Sequence, residues 1–160
     1  MSSSIHIKSA SIEDAFLVSQ IVASAYKDCQ EKFKPFPEKM PSWFDWWISL
    51  SQPQNHQEFI KAGLTYLILL DEDVIGTFRL EHHGNQSELD DFCILPQYQN
   101  HGYGLYTLSL IEKLHDVDSI EFATPYFCTA NLHLYQKAGY KQVGTRSDDT
   151  VICFEKKLNL

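Results

Sequence analysis

The sequence predicts one mixed α/β domain, and three observations predict it. Strand-type apolar runs recur along the 160 residues, broken by tight turns or by stretches of helical period. Several neighbouring runs are joined by turns so short that the strands must pair antiparallel. Between Leu89 and Leu108, by contrast, a strand passes through a polar, glycine-bearing turn straight into a helix. That pattern implies one right-handed crossover to a parallel strand.

Ile5 and Ile7 alternate with polar neighbours and make a short first strand. Ser11 is a helix N-cap with Asp14 in the capping-box position, ahead of an amphipathic helix through Phe16, Val18, Ile21, Val22 and Tyr26. Pro35, Pro37 and Pro41 then break regularity. Ser42 caps a second helix to Leu50 that carries Trp43, Phe44, Trp46 and Trp47. Gln52 to Gln57 reads as a polar turn, and Glu58 to Ala62 as a last helical turn closed by Gly63. Thr65 to Leu70 and Val74 to Leu80 are strands around the turn Asp71-Glu72-Asp73. A second hairpin turn, His83 to Gln86, leads into the strand Ser87 to Leu95. After the helix that follows Gly102 comes a strand from Ser119 to Phe127. A short helix from Ala130 to Ala138 is stopped by Gly139, and Tyr140 to Thr145 with Val151 to Lys156 forms a last hairpin. The order β-α-α-β-β-β-α-β-α-β-β contains no repeat, low-complexity segment or linker. Residues 1–160 are therefore expected to form a single domain.

Apolar content of 44% and charged content of 21% are ordinary for a soluble globular protein, and the length allows a sizeable core without disulfides. A net charge of −8 and a pI near 5.2 argue against a nucleic-acid or anionic-membrane surface and favour a cationic small molecule or peptide. Cys29, Cys93, Cys128 and Cys153 lie far apart with no CxxC pair, which suggests neither a zinc site nor a disulfide framework. The seven histidines show no ligand spacing, so no metal is implied. The N-terminus lacks the basic and apolar regions of a signal peptide, and the longest apolar run, Leu64 to Leu70, is too short to span a bilayer. Cytoplasmic localisation is expected.

The turn at Gln99 to Gly104 is where composition becomes chemistry. A helix entered through glycines leaves its first N–H groups unpaired and aimed into the turn. Those groups and the helix dipole favour an anion, most often a phosphate. A dinucleotide-binding turn would need a third glycine where Thr107 stands, and antiparallel strands precede this one. A Walker A loop is excluded because no Gly-Lys-Ser/Thr follows. On these six residues alone, a plain glycine-containing turn is the alternative.

Three motifs in order change that balance. Gln99-Asn100-His101-Gly102-Tyr103-Gly104 fits the pattern Arg/Gln-x-x-Gly-x-Gly/Ala. It is preceded by Leu89, Phe92, Ile94 and Pro96 in the spacing Leu-x-x-Phe-x-Ile-x-Pro. It is followed by Leu134-Tyr135-Gln136-Lys137-Ala138-Gly139-Tyr140. Over nearly its whole length the chain resembles the GNAT superfamily of acyl-CoA-dependent N-acetyltransferases. The resemblance implies a mixed central sheet of seven strands with helices on both faces, and acetyl-CoA as co-substrate with no metal.

By the same resemblance, backbone N–H groups of residues 99–104 hold the CoA pyrophosphate, with small residues needed at Gly102 and Gly104. His101 helps to neutralise phosphate. The backbone of Phe92, Cys93 and Ile94 supplies pantetheine and oxyanion contacts where the family's strand splays at a bulge. Tyr135 matches the tyrosine that protonates the departing thiolate; the alternative is a helix tyrosine packed beside the core. Asn131, one turn before it, either contacts the cofactor or caps the helix, because the family's asparagine position is occupied by Cys128. Leu89-Asp90-Asp91-Phe92 resembles the Leu-Glu-Asp-Phe stretch of spermidine/spermine acetyltransferases, whose acidic residues take the proton or position the amine. In a regular strand Asp90 and Asp91 point to opposite faces, and Asp90 is the first choice of base, acting through a water. Glu81 is a second candidate, and a solvated or ion-paired carboxylate is the plain alternative to either. No histidine stands near enough in sequence to activate Cys93 as a nucleophile.

The acceptor end is expected from the first two helices. Trp43, Trp46 and Trp47 share a helical face that core packing explains and that would also floor a cation-attracting pocket. Asp148 and Asp149 are turn residues within reach of the same role. The expected function is direct acetyl transfer to a primary amine of a small molecule or peptide. A non-catalytic acyl-CoA-binding or regulatory module is the alternative. The resemblance also admits a homodimer.

Overall fold

The computed structural model describes residues 4–32, 48–126 and 128–158. Seven strands form one sheet: β1 (Ile5–Ser9), β2 (Thr65–Leu70), β3 (Asp73–His83), β4 (Gln86–Ile94), β5 (Ser119–Pro125), β6 (Lys141–Arg146) and β7 (Val151–Lys157). Their spatial order is β1-β2-β3-β4-β5-β7-β6. Every neighbouring pair is antiparallel except β4 and β5. That one parallel pair spans the predicted crossover, because two parallel strands need a helix-length connection between them. The described helices are α1 (Ala15–Lys32), α2 (Pro53–Lys61), α3 (Tyr103–Ile111) and α4 (Thr129–Lys137).

Side-chain alternation along β2 sends the helices to opposite faces. Leu67 and Leu69 pack with Val18 of α1. Ile68 points the other way, into the main core with Leu108 and Ile111 of α3. Phe78, Leu80, Leu89, Ile120 and Phe154 complete that core, each at most 2% exposed. Burial this complete is worth about 1.5–3 kcal/mol per large side chain before the cost of chain ordering.

One local expectation changes. Residues 53–61 form a helix rather than a polar turn followed by one helical turn. Pro53 tolerates the first turn because its missing N–H would have no helical partner there. Only His56 and Ile60 of that helix are buried, too sparse a stripe to show as periodicity in a polar segment. The expected helix over residues 42–50, with its tryptophans, lies outside the described residues except for its last three positions.

One irregularity positions the site. Thr77 pairs with Cys93 and Arg79 pairs with Asp90, so Phe78 alone faces both Asp91 and Phe92. The extra residue is a β-bulge in β4, and Asp91 adopts φ +51°, left-handed backbone that a non-glycine residue takes at a cost. Gly76 permits the tight backbone approach beside it, since a Cβ there would overlap the Cys93 carbonyl oxygen.

Candidate active site

The parallel pairing of β4 and β5 covers only Gln86–Ser119, Ser87–Ile120 and Glu88–Glu121. Beyond those residues the strands part, and a cavity of about 560 Å³ occupies the opening. Its floor is the part of each strand no longer paired with the other, from Leu89 to Ile94 and from Phe122 to Pro125, whose outer edges still pair with β3 and β7. Ala25, Tyr26 and Cys29 of α1 form one wall, and Asn131, Leu134 and Tyr135 of α4 the other. Unpaired strand backbone facing a cavity presents N–H and C=O groups that need partners, which a bound amide or thioester can supply.

The glycine turn closes one end. Gln99, Asn100, Gly102, Tyr103 and Gly104 line the cavity, whereas His101 is exposed, stacks on Tyr103 and lies outside the lining. Tyr106 N–H donates to the Gly102 carbonyl at 3.1 Å, the first rung of α3. The N–H groups of residues 102–105 therefore precede the ladder and face an anion without competition from it. Gly102 has φ +82° and open space where a Cβ would stand. The protein itself requires glycine there for its left-handed backbone. Gly104 is the steric case, for a Cβ there would meet Leu134 at 3.3 Å. The Gln99 side chain donates to the Ile94 carbonyl at 2.9 Å and accepts from Lys32, tying the turn to the end of β4.

The carboxylates require a correction. Alternation predicts Asp90 and Asp91 on opposite faces, but the bulge at Asp91 breaks the alternation and turns both toward Arg79. Arg79 Nε donates to Asp91 Oδ2 at 3.2 Å, and its other nitrogens lie 3.7 Å from Asp90 Oδ2 and 3.8 Å from Glu81 Oε2. The guanidinium also sits 4.0 Å above the Phe59 ring, which covers it on the α2 side. Asp90 and Asp91 line the cavity; Glu81 lies outside the lining. Burial pushes the Asp90 carboxyl up to about 6, against the pull of Arg79 and with help from Glu88, Asp91 and Glu81. Asp91 Oδ1 is buried and without a hydrogen-bond partner among the described residues. A buried carboxylate oxygen in that condition is costly unless something donates to it, and the cavity is where a donor would come from.

Tyr135 is 5% exposed and packs on Phe122, with ring centroids 3.5 Å apart, while still lining the cavity. Burial, followed by the nearby Cys93, Cys128 and Asp90, raises its phenol well above the ordinary value and keeps it protonated at neutral pH. Asn131 is exposed and lines the same cavity one helical turn away, so it faces the opening. Cys93 is half-buried, and its thiol is pushed strongly up by its low-dielectric surroundings and by Asp91, which leaves it a poor nucleophile. Asp148 and Asp149 are exposed in the β6–β7 turn, away from the lining.

Sequence reasoning missed three participants. Tyr26 and Asp28 come into the cavity wall from α1, where only helical period was visible. Arg79, an isolated charge in β3, organises the acidic cluster. Its signal was a lone arginine in the largely apolar stretch from Val74 to Leu80, placed opposite an acidic pair. Among the described residues no group of histidine, cysteine and carboxylate side chains has metal-binding geometry, and no helix is long and apolar enough to cross a membrane.

The model of an acetyltransferase (GNAT) domain matches residues 61–142. No curated protein sequence matches the chain. Among solved structures, the chain is similar to the PaiA N-acetyltransferase of Thermoplasma acidophilum in complex with coenzyme A. That match has 20% identity and TM-score 0.79 and covers 97% of this chain and 99% of that one. A GNAT-family acetyltransferase of Streptococcus agalactiae matches at 12% identity and TM-score 0.81, covering 98% and 96% of the two chains. The ribosomal-protein-S18-alanine N-acetyltransferase of Escherichia coli matches at 14% identity and TM-score 0.68, with the same coverage.

Proposed function

From the premise that the chain belongs to the GNAT acetyltransferase family, we propose that it transfers an acetyl group from acetyl-CoA directly to a primary amine of a small molecule or peptide. The observation that carries this reading is one cavity lined by three kinds of group. A carboxyl pushed up to about 6 (Asp90), a phenol held protonated (Tyr135) and the glycine turn before α3 all border it.

Each group suits one step. N–H groups of residues 102–105 suit the pyrophosphate of acetyl-CoA, as the coenzyme A bound to the Thermoplasma acidophilum relative suggests by similarity. An incoming ammonium is drawn to the acidic side of the cavity, where Asp91 Oδ1 is a ready acceptor. Asp90 takes a proton from the ammonium through a water, and a base near 6 is largely ionised for that task at neutral pH. The amine nitrogen then attacks the thioester carbon, and its oxygen gains negative charge beside the freed backbone of Phe92 to Ile94. As the C–S bond breaks, Tyr135 gives its proton to the sulfur, the proton lost by the tetrahedral nitrogen passes through water to restore the phenol, and Asp90 returns its proton to solvent. The products are an amide and free CoA thiol. Cys93 takes no part, since its thiol stays protonated.

Two measurements test the reading. Acetyl-CoA at 100 times its Kd is expected to stabilise the protein by about 2.7 kcal/mol, a melting shift on the order of 5–10 °C. Free thiol release is then followed across a panel of amines, with Tyr135→Phe losing turnover while its acetyl-CoA affinity stays near that of the parent. No melting shift with any acyl-CoA would sink the proposal. A shift without thiol release from any amine would leave the acyl-CoA-binding module as the function.

A further inference from the structure

Two cysteines that are 99 positions apart in the chain meet at the cavity. Cys29 Sγ, on α1, lies 3.2 Å from Cys128 Sγ, the residue that caps the start of α4. Both line the cavity, from opposite walls, at the edge where β5 has ended. The two differ in access: Cys29 is partly exposed and Cys128 is buried. They also differ in acidity. The hydrogen bond between the two sulfurs draws the Cys29 thiol below its ordinary value, while that same bond and burial push the Cys128 thiol up. An accessible, acidified thiol touching a buried, protonated one is the arrangement of an attacking and a resolving cysteine.

We propose that Cys29 and Cys128 are a redox-active dithiol that closes to a disulfide by exchange with a small disulfide such as oxidised glutathione, locking the cavity against acyl-CoA. The Cys29 thiolate attacks one glutathione sulfur, forming a mixed disulfide and releasing the first glutathione thiol. Cys128 then attacks Cys29 Sγ, loses its proton and displaces the second glutathione thiol. Two protein thiols are oxidised, and one small disulfide is reduced to two thiols. The sulfurs already touch, so bonding needs only a small approach of α1 and α4. A disulfide ties α1 covalently to the start of α4 at the edge of the cavity, where two thiols in contact leave them unlinked. Cys93 and Cys153 do not compete, the first because it stays protonated and the second because it lies outside the cavity lining. The dithiol stands on the contact of the two sulfurs and their difference in access, whereas the lock rests on the acetyl-transfer reading of the cavity.

The test uses the full chain in glutathione buffers stepped from reduced to oxidised, quenched by alkylation and read by intact mass and peptide mapping. Acetyl-CoA affinity is measured on the same samples. The expected result is a single Cys29–Cys128 cross-link with loss of two hydrogens, reversed by dithiothreitol. Apparent acetyl-CoA affinity should fall on the order of tenfold in the cross-linked form, in proportion to the lost binding-competent fraction. Cys29→Ser should form no cross-link and show one affinity in both buffers. A lasting glutathione adduct on Cys29 without the cross-link would overturn the dithiol. Cross-linked protein that binds acetyl-CoA like the reduced form would overturn the lock. Reduced protein that binds no acetyl-CoA would overturn the transfer reading and the lock together, while the mass map still decides the dithiol.

Discussion

Arg79 Nε donates to Asp91 Oδ2 at 3.2 Å across the β-bulge, joining an 11% exposed cation to a 5% exposed carboxylate. Neither group has solvent to fall back on. Asp90 at 3.7 Å and Glu81 at 3.8 Å share the same guanidinium, so a single positive charge balances three negative ones. Burial holds Asp90 high, with help from the neighbouring carboxylates, and the excess negative charge favours a cation in the cavity.

Removing that cation should therefore cost more at neutral than at acid pH. Arg79→Met leaves the carboxylates buried without their partner, a loss of about 3 kcal/mol. With Arg79 gone, the downward pull on Asp90 disappears and its pKa rises further, so at pH 5 it is neutral and part of the cost vanishes. Urea unfolding at pH 5 and pH 7.5 measures both. The same loss at the two pH values would mean that Arg79 acts by packing on Phe59 rather than by charge.

The pH profile of turnover should follow Asp90. A base must be ionised, so kcat/KM is expected to rise with pH through about 6 and then level. Stability runs the other way. Because the folded pKa lies above the ordinary 3.8, the native state holds a proton that the unfolded chain has released. Unfolding free energy therefore falls as pH rises between about 4 and 6 and is flat beyond. Asp90→Asn should abolish the rise in turnover and stabilise the protein at pH 7.5 by about 1–3 kcal/mol. A variant that keeps the parent's pH profile would remove Asp90 as the base.

How far the sequence carries can be judged residue by residue. The order of elements along the chain, the hairpins, the crossover and the glycine turn were all legible, because period, turn chemistry and spacing are local signals. Tyr135 and the cofactor role of the turn residues were named through the family resemblance, which their motifs carry. The bulge was not legible from the residues themselves. It depends on Phe78 pairing with two residues of β4, a long-range match that turns Asp91 toward Arg79. The meeting of Cys29 with Cys128 was hidden likewise, since only the tertiary fold sets α1 against the start of α4. The exposed strand β6 was called a strand correctly, yet its period gave no hint that none of its side chains is buried.

Gly102 and Gly63 offer a paired test of the turn. Both have positive φ, +82° and +75°, and both have open space where a Cβ would stand. Alanine at either should cost about 1–2 kcal/mol for the left-handed backbone alone. Only Gly102 lines the cavity. Gly102→Ala should therefore weaken acetyl-CoA binding in titration calorimetry, and Gly63→Ala should leave it unchanged. Equal affinity in the two variants would remove Gly102 from the cofactor turn.

Gly76 should be the position least tolerant of a methyl group. It pairs with Ile94 while a Cβ would overlap the Cys93 carbonyl oxygen. A side chain in the way can change rotamer, but a backbone carbonyl moves only with its strand, and here the strand is the bulged part of β4. Gly76→Ala should cost about 3 kcal/mol, lowering the melting temperature by on the order of 10 °C. The displaced segment carries Asp90, Asp91 and the backbone of Phe92 to Ile94, so kcat/KM should fall even at a temperature where the variant is fully folded. Thermal melts and thiol release on the same preparation separate the two effects. Full activity in a destabilised variant would show that the bulge supports the fold without setting the geometry of transfer.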